Sequence, residues 1–177
     1  YQGAFLRILI NDRDTVLSFL PLSHVFERLG GYYFQVDYGV SIAYAESVMT
    51  APEDIRKVKP TLVMAVPRFY EKTYARILEE VQKAPAWKQR LFNWAVRIGT
   101  KTAQMKMRGH PVPIGLAFYN RIAQRLVFNK IKQALGGRIR FFISGGAPLS
   151  KDLARFFYVA GIMILEGYGL TETSPVI

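Results

Sequence analysis

Six consecutive residues, Gly167-Tyr168-Gly169-Leu170-Thr171-Glu172, bring together two flexible glycines, an aromatic face, a hydroxyl and a carboxylate. That set suits a nucleotide: a ring stacks on a base, a hydroxyl meets a phosphate, and a carboxylate offers Mg²⁺ a hard oxygen ligand. A second glycine loop, Ser144-Gly145-Gly146-Ala147-Pro148, lies about 22 residues upstream, the length of one strand–helix–strand unit. Its paired glycines let a flat ring come close to the backbone. Each feature also has a plainer use. Tyr168 suits a packed loop, Thr171 or Ser174 before Pro175 suits a helix cap, and the glycines suit a tight turn. Nucleophile-elbow, zinc-protease and Walker A sequences are absent.

The pattern of elements predicts where these loops sit. Residues 15–20, 40–45, 61–66, 139–144 and 162–166 read as short strands. Between them lie helical patterns: one capped by Ser23 and running through Phe26, Leu29, Tyr33 and Val36, one opened by Pro52-Glu53-Asp54, and one started by Pro67. A helical stretch follows Pro85, and Gly109-His110-Pro111-Val112-Pro113 breaks it. A further helix carries Leu116 to Ile131 and closes at Gly136-Gly137, and residues 150–159 form the last. Strands that alternate with helices, and that are apolar without a period of two, predict an α/β fold with a mainly parallel sheet covered on both faces. The expected organisation is one α/β unit over residues 1–177 with a basic helical excursion at 67–135. Ligands bind at the C-terminal ends of such strands. Three loops follow strands: residues 21–28, 144–149 and 167–175. The right-handed crossover rule opens the last two at one sheet edge.

Composition narrows the classes. The 177 residues can bury one sizeable core, and half of them are apolar. The apolar runs at 61–67 and 139–143 are too short to span a bilayer. No cysteine is present, which excludes disulfides, thiolate metal sites and a cysteine nucleophile, and favours a cytoplasmic setting. The formal charge is +11, and no acid occurs between Glu80 and Asp152, an interval that holds fourteen lysines and arginines. Such a stretch projects a positive field toward an anionic membrane surface, a polyphosphate or, as the disfavoured partner, nucleic acid; its plainer use is a solvated helical face.

The string Tyr168-Gly169-Leu170-Thr171-Glu172 resembles the adenine-binding motif of adenylate-forming (AMP-binding) synthetases. Leu20-Pro21-Leu22-Ser23-His24 and Ser144-Gly145-Gly146-Ala147-Pro148 match in the same order. Within that superfamily, the segment Pro21-Leu22-Ser23-His24-Val25-Phe26-Glu27-Arg28 is most similar to long-chain fatty acyl-CoA synthetases. Val66-Pro67-Arg68 and Leu135-Gly136-Gly137-Arg138-Ile139-Arg140 match the same branch. The resemblance covers essentially the whole chain.

The resemblance implies part of an ATP-dependent long-chain fatty acid:CoA ligase, forming an acyl-adenylate and then acyl-CoA. It implies an adenylate site with Gly145, Gly146, Ala147, Tyr168, Gly169 and Thr171. Thr171 and Glu172 are implied as catalytic and as Mg²⁺ ligands. His24, Gly146 and Gly169 are implied to border the acyl pocket. ATP, fatty acid and coenzyme A would be the substrates, and peripheral membrane contact serves a fatty substrate. Arg28 departs from the aromatic gate of some family members, and pairs instead with Glu27 or a phosphate. The family's phosphate loop would precede Tyr1 and its lysine-bearing C-terminal domain would follow Ile177, so the 177 residues alone are expected not to form acyl-CoA. Two alternatives stand beside this one: activation of another carboxylate, aryl or amino acid, and a non-enzymatic basic module that binds membrane or nucleic acid.

Overall fold

In the computed structural model, which describes residues 10–173, five parallel strands form one sheet in the order β2-β1-β3-β4-β5. They are β1 Thr15–Ser18, β2 Ser41–Tyr44, β3 Leu62–Ala65, β4 Phe141–Ser144 and β5 Met163–Glu166. Parallel pairing throughout agrees with the sequence pattern. The register explains why the strands show no alternation. One row crosses the sheet as Ala43, Leu17, Val63, Phe142 and Ile164, and the next as Ile42, Val16, Leu62, Phe141 and Met163. The first row packs into the larger core, and the second, apart from the exposed Met163 of the edge strand, into a separate cluster on the opposite face. A central strand buried on both faces has no polar side to display. The edge strands β2 and β5 are only partly buried.

A π-helical segment, Glu27–Tyr33, leads into α1, Phe34–Asp37. The remaining helices are α2 Ala51–Val58, α3 Pro67–Gln82, α4 Ala86–Met107, α5 Ile114–Ala123, α6 Asn129–Ala134 and α7 Lys151–Val159. Residues from α2 to α7 share the larger core with Leu17, Val63 and Phe142. Tyr70 of α3 is fully buried there, with its ring 5.6 Å from that of Phe142 and 5.8 Å from that of Phe157. The helices between β3 and β4 therefore complete one layer of the sheet domain.

The structure corrects several boundaries. The strands are one or two residues shorter than the apolar runs, because ladder pairing stops where the chain turns into its loops. Ser23 does not cap the first helix. Helical turns begin at Val25, and the side chain of His24 accepts the Phe26 N–H at Nδ1, 3.2 Å away. That helix then widens to π geometry around Gly30-Gly31. The helix expected through Leu116 and Ile131 is likewise interrupted by a π-helical segment, Gln124–Phe128. There the Gln124 amide donates to the Val159 carbonyl at 2.7 Å, tying the wide turn to the end of α7. Thr171 lies in a 3₁₀ turn, Thr171–Thr173, and the Ser174–Pro175 cap lies outside the described residues.

The edge of the sheet opposite the glycine loops is held by a buried carboxylate. Asp14, 2% exposed, accepts from Arg140 Nη1 at 2.8 and 2.7 Å, from Thr61 Oγ1 at 2.7 Å and from the Asn11 N–H at 3.0 Å. Burial alone would raise the Asp14 pKa, but Arg140, Thr61 and Asn11 together hold it below the ordinary carboxylate value. Arg140→Met keeps the aliphatic stem and strands this charge, so a loss of about 2 kcal/mol in urea unfolding is expected at neutral pH. A group with a lowered folded pKa contributes above its unfolded pKa and less as pH falls, so the gap between wild type and variant should narrow in acid.

Candidate functional site

The parallel sheet places the chain's glycine loops side by side. Ser144 and Glu166, the last residues of β4 and β5, are register partners, so both loops leave the sheet at the same edge. The Gly167 N–H donates to the Ser144 carbonyl at 2.8 Å and the Gly145 N–H to the Ala65 carbonyl at 3.3 Å, locking the loop origins together. Gly146 adopts φ +84°, a conformation that costs a side-chain-bearing residue energy, so its glycine is required by the turn. Gly145 has a different reason: a Cβ there would lie 2.6 Å from Cε2 of Phe26, whose ring covers that backbone.

The third loop contributes His24, Val25 and Phe26, and residues of all three line a cavity of about 560 Å³. His24, Gly145, Gly146, Tyr168, Gly169, Thr171 and Glu172 all line it. Of the eight adenylate, acyl-pocket and metal residues that the resemblance implies, Ala147 alone does not; it is exposed on the same loop. The Tyr168 ring is 69% exposed at the mouth, an unusual position for a packed loop tyrosine. Because Nδ1 of His24 accepts from backbone, the ring's proton belongs on Nε2, which makes His24 a hydrogen-bond donor at the cavity wall.

The inner lining was not legible in the motifs. Ile10, Phe34 and Leu29 line the cavity with Met64, Ile143 and Leu165. The last three come from β3, β4 and β5 on the face that carries Leu62 and Phe141. Strand alternation was the available signal, but assigning a face needs the strand order. The cavity is thus polar where the glycine loops open and apolar toward the sheet.

Beside it, the π-helical segment turns Glu27 inward. Glu27 is fully buried and accepts from Ser18 Oγ at 2.5 Å, while its second carboxylate oxygen has no hydrogen-bond partner. Burial pushes its pKa up to about 7, against the opposing pull of the Ser18 hydrogen bond. Arg28 therefore does not pair with Glu27. Its guanidinium donates to the Tyr33 hydroxyl at 3.3 and 3.4 Å and lies over the Tyr33 ring, 5.8 Å from the centroid.

Among the described residues no group of three or more His, Asp or Glu side chains is placed to hold a metal. Oxygen donors on the cavity wall include the hydroxyl of Thr171 and the carboxylates of Glu172 and Glu166, and Glu166 also accepts from the Leu149 N–H at 3.5 Å. A donor set that small fits a Mg²⁺ that keeps several waters and arrives with phosphate oxygens, rather than a protein cage.

The model of the AMP-binding enzyme family matches residues 3–177. The chain is 37% identical, over 99% of its length, to the peroxisomal long chain acyl-CoA synthetase 6 of Arabidopsis thaliana, and covers 24% of that protein. It is 36% identical, over 92% of its length, to the long-chain-fatty-acid–CoA ligase ACSBG2 of Rattus norvegicus, again covering 24%. It therefore spans about a quarter of the length of these relatives. The adenylation domain of a carboxylate reductase from Mycobacterium chelonae superposes on 89% of the chain, and on 20% of its own, with TM-score 0.60 and 26% identity. The parallel sheet, the paired glycine loops and the near-complete family match agree: this chain belongs to the AMP-binding enzyme family.

Proposed function

We propose that this chain forms the acyl and adenine side of the active site in an ATP-dependent long-chain fatty acid:CoA ligase. The observation that carries this reading is one continuous cavity, polar at the glycine loops and apolar toward Met64, Ile143 and Leu165. An amphiphilic acid fits it with the carboxylate beside His24 and the glycines and the alkyl chain against the sheet. Adenine stacks on Tyr168 and approaches the bare backbone of Gly145 and Gly146, with Ala147 at the loop's outer side. Gly146 and Gly169 mark the boundary between adenylate and acyl spaces. Thr171 hydrogen-bonds a phosphate oxygen, and Glu172 with Thr171 would hold a Mg²⁺ that would supply charge neutralisation for the phosphates.

The chemistry joins two anions. A carboxylate oxygen attacks the α-phosphorus of ATP, and the bond to pyrophosphate breaks. In the second step the coenzyme A thiol gives its proton to solvent, its sulfur attacks the acyl carbon, and the bond from that carbon to the AMP phosphate oxygen breaks. Positioning and charge neutralisation dominate the first step. An ionised carboxylate needs no general base, so the His24 Nε2–H serves as a donor that orients it. The test is a pyrophosphate-exchange screen of a full-length enzyme carrying this segment, with fatty, aryl and amino acids offered in turn. Exchange driven by fatty acids supports the reading; exchange driven only by aryl or amino acids replaces it with activation of another carboxylate.

We also propose peripheral contact with an anionic membrane surface. Met107, Ile114 and Phe118 are 74%, 89% and 61% exposed around the α4–α5 turn, beside Lys106 and Arg108. No described helix is long and apolar enough to cross a membrane, so the contact would lie along the surface, apolar residues inward and cations at the headgroups. Co-sedimentation with vesicles should rise with anionic lipid and fall with salt. Binding indifferent to both would remove the membrane, and a steep salt dependence with nucleic acid in its place would redirect the basic face to that partner.

A further inference from the structure

One contact on the cavity wall joins two residues from different layers. Gly30 lies in the π-helical segment and Met64 in β3, and both line the cavity. A Cβ built on Gly30 would overlap Met64 Cε and come within 2.8 Å of its Sδ. The thioether arm thus occupies the space that a side chain at position 30 would take. The backbone at Gly30 is held from the other side: Gln35, 1% exposed, donates to the Gly30 carbonyl at 2.7 Å. Gly30 itself does not have a positive φ, so an alanine there meets no backbone strain and improves helix propensity. Among the described residues its obstacle is Met64, an unbranched side chain with three rotatable bonds that can swing aside. Met64 is 3% exposed and packed among sheet and helix, so the open cavity is the space it can move into.

We infer that the Gly30–Met64 contact sets the length of the acyl chain this site accepts. This rests on the fatty-acid reading above. An alanine at position 30 drives the thioether into the acyl space and shortens it. Truncating Met64 empties that space and lengthens it. The two changes oppose each other through one atom group, so together they should cancel. In an apolar pocket one methylene is worth about 10–200-fold in kcat/KM, so a displaced methyl-sized group is readable as a change of preferred substrate.

The experiment measures kcat/KM across a saturated fatty-acid series for a full-length enzyme carrying this segment, and for its Gly30→Ala, Met64→Ala and doubly substituted forms. Gly30→Ala should move the optimum to shorter acids, with about a 10-fold or greater loss on the longest one accepted. Met64→Ala should move it to longer acids, and the double variant should return toward the wild-type profile. A purely structural role for either residue lowers all acids in proportion and leaves the optimum in place; that result overturns the inference while leaving the fatty-acid reading intact. If Gly30→Ala fails to fold, Met64→Ala decides alone, since it leaves the helix untouched. A wild-type enzyme that activates no fatty acid overturns the underlying reading instead.

Discussion

Replacing Glu172 by glutamine in a full-length enzyme carrying this segment is expected to lower fatty-acid-dependent pyrophosphate exchange by about 10²–10³-fold, the usual cost of removing one preorganised electrostatic contact from a reaction centre. Glutamine has nearly the same shape and keeps an oxygen, so the substitution removes charge rather than bulk. Glu172 is exposed in the 3₁₀ turn Thr171–Thr173, so no core contact is lost and the fold should be untouched. The deficit belongs to the metal. A weaker hard-oxygen ligand raises the Mg²⁺ concentration needed for half-maximal exchange, while the fatty-acid preference stays the same. Thr171→Val should act in the same direction and more weakly, because it removes a neutral donor. Unchanged exchange and an unchanged Mg²⁺ requirement in Glu172→Gln would assign Glu172 to the turn alone, and the metal would then depend on residues outside this chain.

The second large effect concerns stability, and comes from Glu27. Its pKa rises from an ordinary 4.5 to about 7 in the folded chain because the carboxyl is buried. The folded state therefore holds this proton more tightly than the unfolded state. Between about pH 4.5 and 7 the folded chain binds more protons, so stability falls as pH rises through that window and levels off above it. The amplitude is about 2–4 kcal/mol. Glu27→Gln cannot ionise and should lose this dependence, while its amide oxygen still accepts from Ser18. Relative to wild type, the variant should gain by that same amount on going from the acid end of the window to pH 8. Urea midpoints of both chains across the window check this directly, since the other carboxylates cancel in the difference. Parallel curves would mean that Glu27 stays ionised when buried, with water or an ion at its unpartnered oxygen.

These two glutamates also show how unevenly the lining of the candidate site was legible. Glu172 announced itself through its neighbours. Two glycines, a tyrosine and a threonine in six positions are a local arrangement, and local arrangements survive in the sequence. Glu27 did not. It stood next to Arg28 in a motif, and adjacency suggested an ion pair. Adjacent residues in a helix do not face each other, and the wide turn at Gly30-Gly31 carries Glu27 under the sheet while Arg28 stays out with Tyr33. The Ser23 cap failed for a related reason. Serine is a good cap in general, but His24 stands one residue nearer to the first free N–H and reaches it.

What the sequence determined by itself is the part set by local rules. Alternating strand and helix patterns specify a parallel α/β sheet. The crossover rule puts the Ser144 and Gly167 loops on one edge, where their residues line one cavity. The tertiary structure decided what the site contains beyond its mouth. Strand order and register bring Met64, Ile143 and Leu165 onto one face, although Met64 and Ile143 stand 79 positions apart in the chain. The π-helical segment then sets Gly30 against Met64 of that face. An apolar residue in a strand carries no mark of which face it takes or what it meets there; non-local packing alone supplies both.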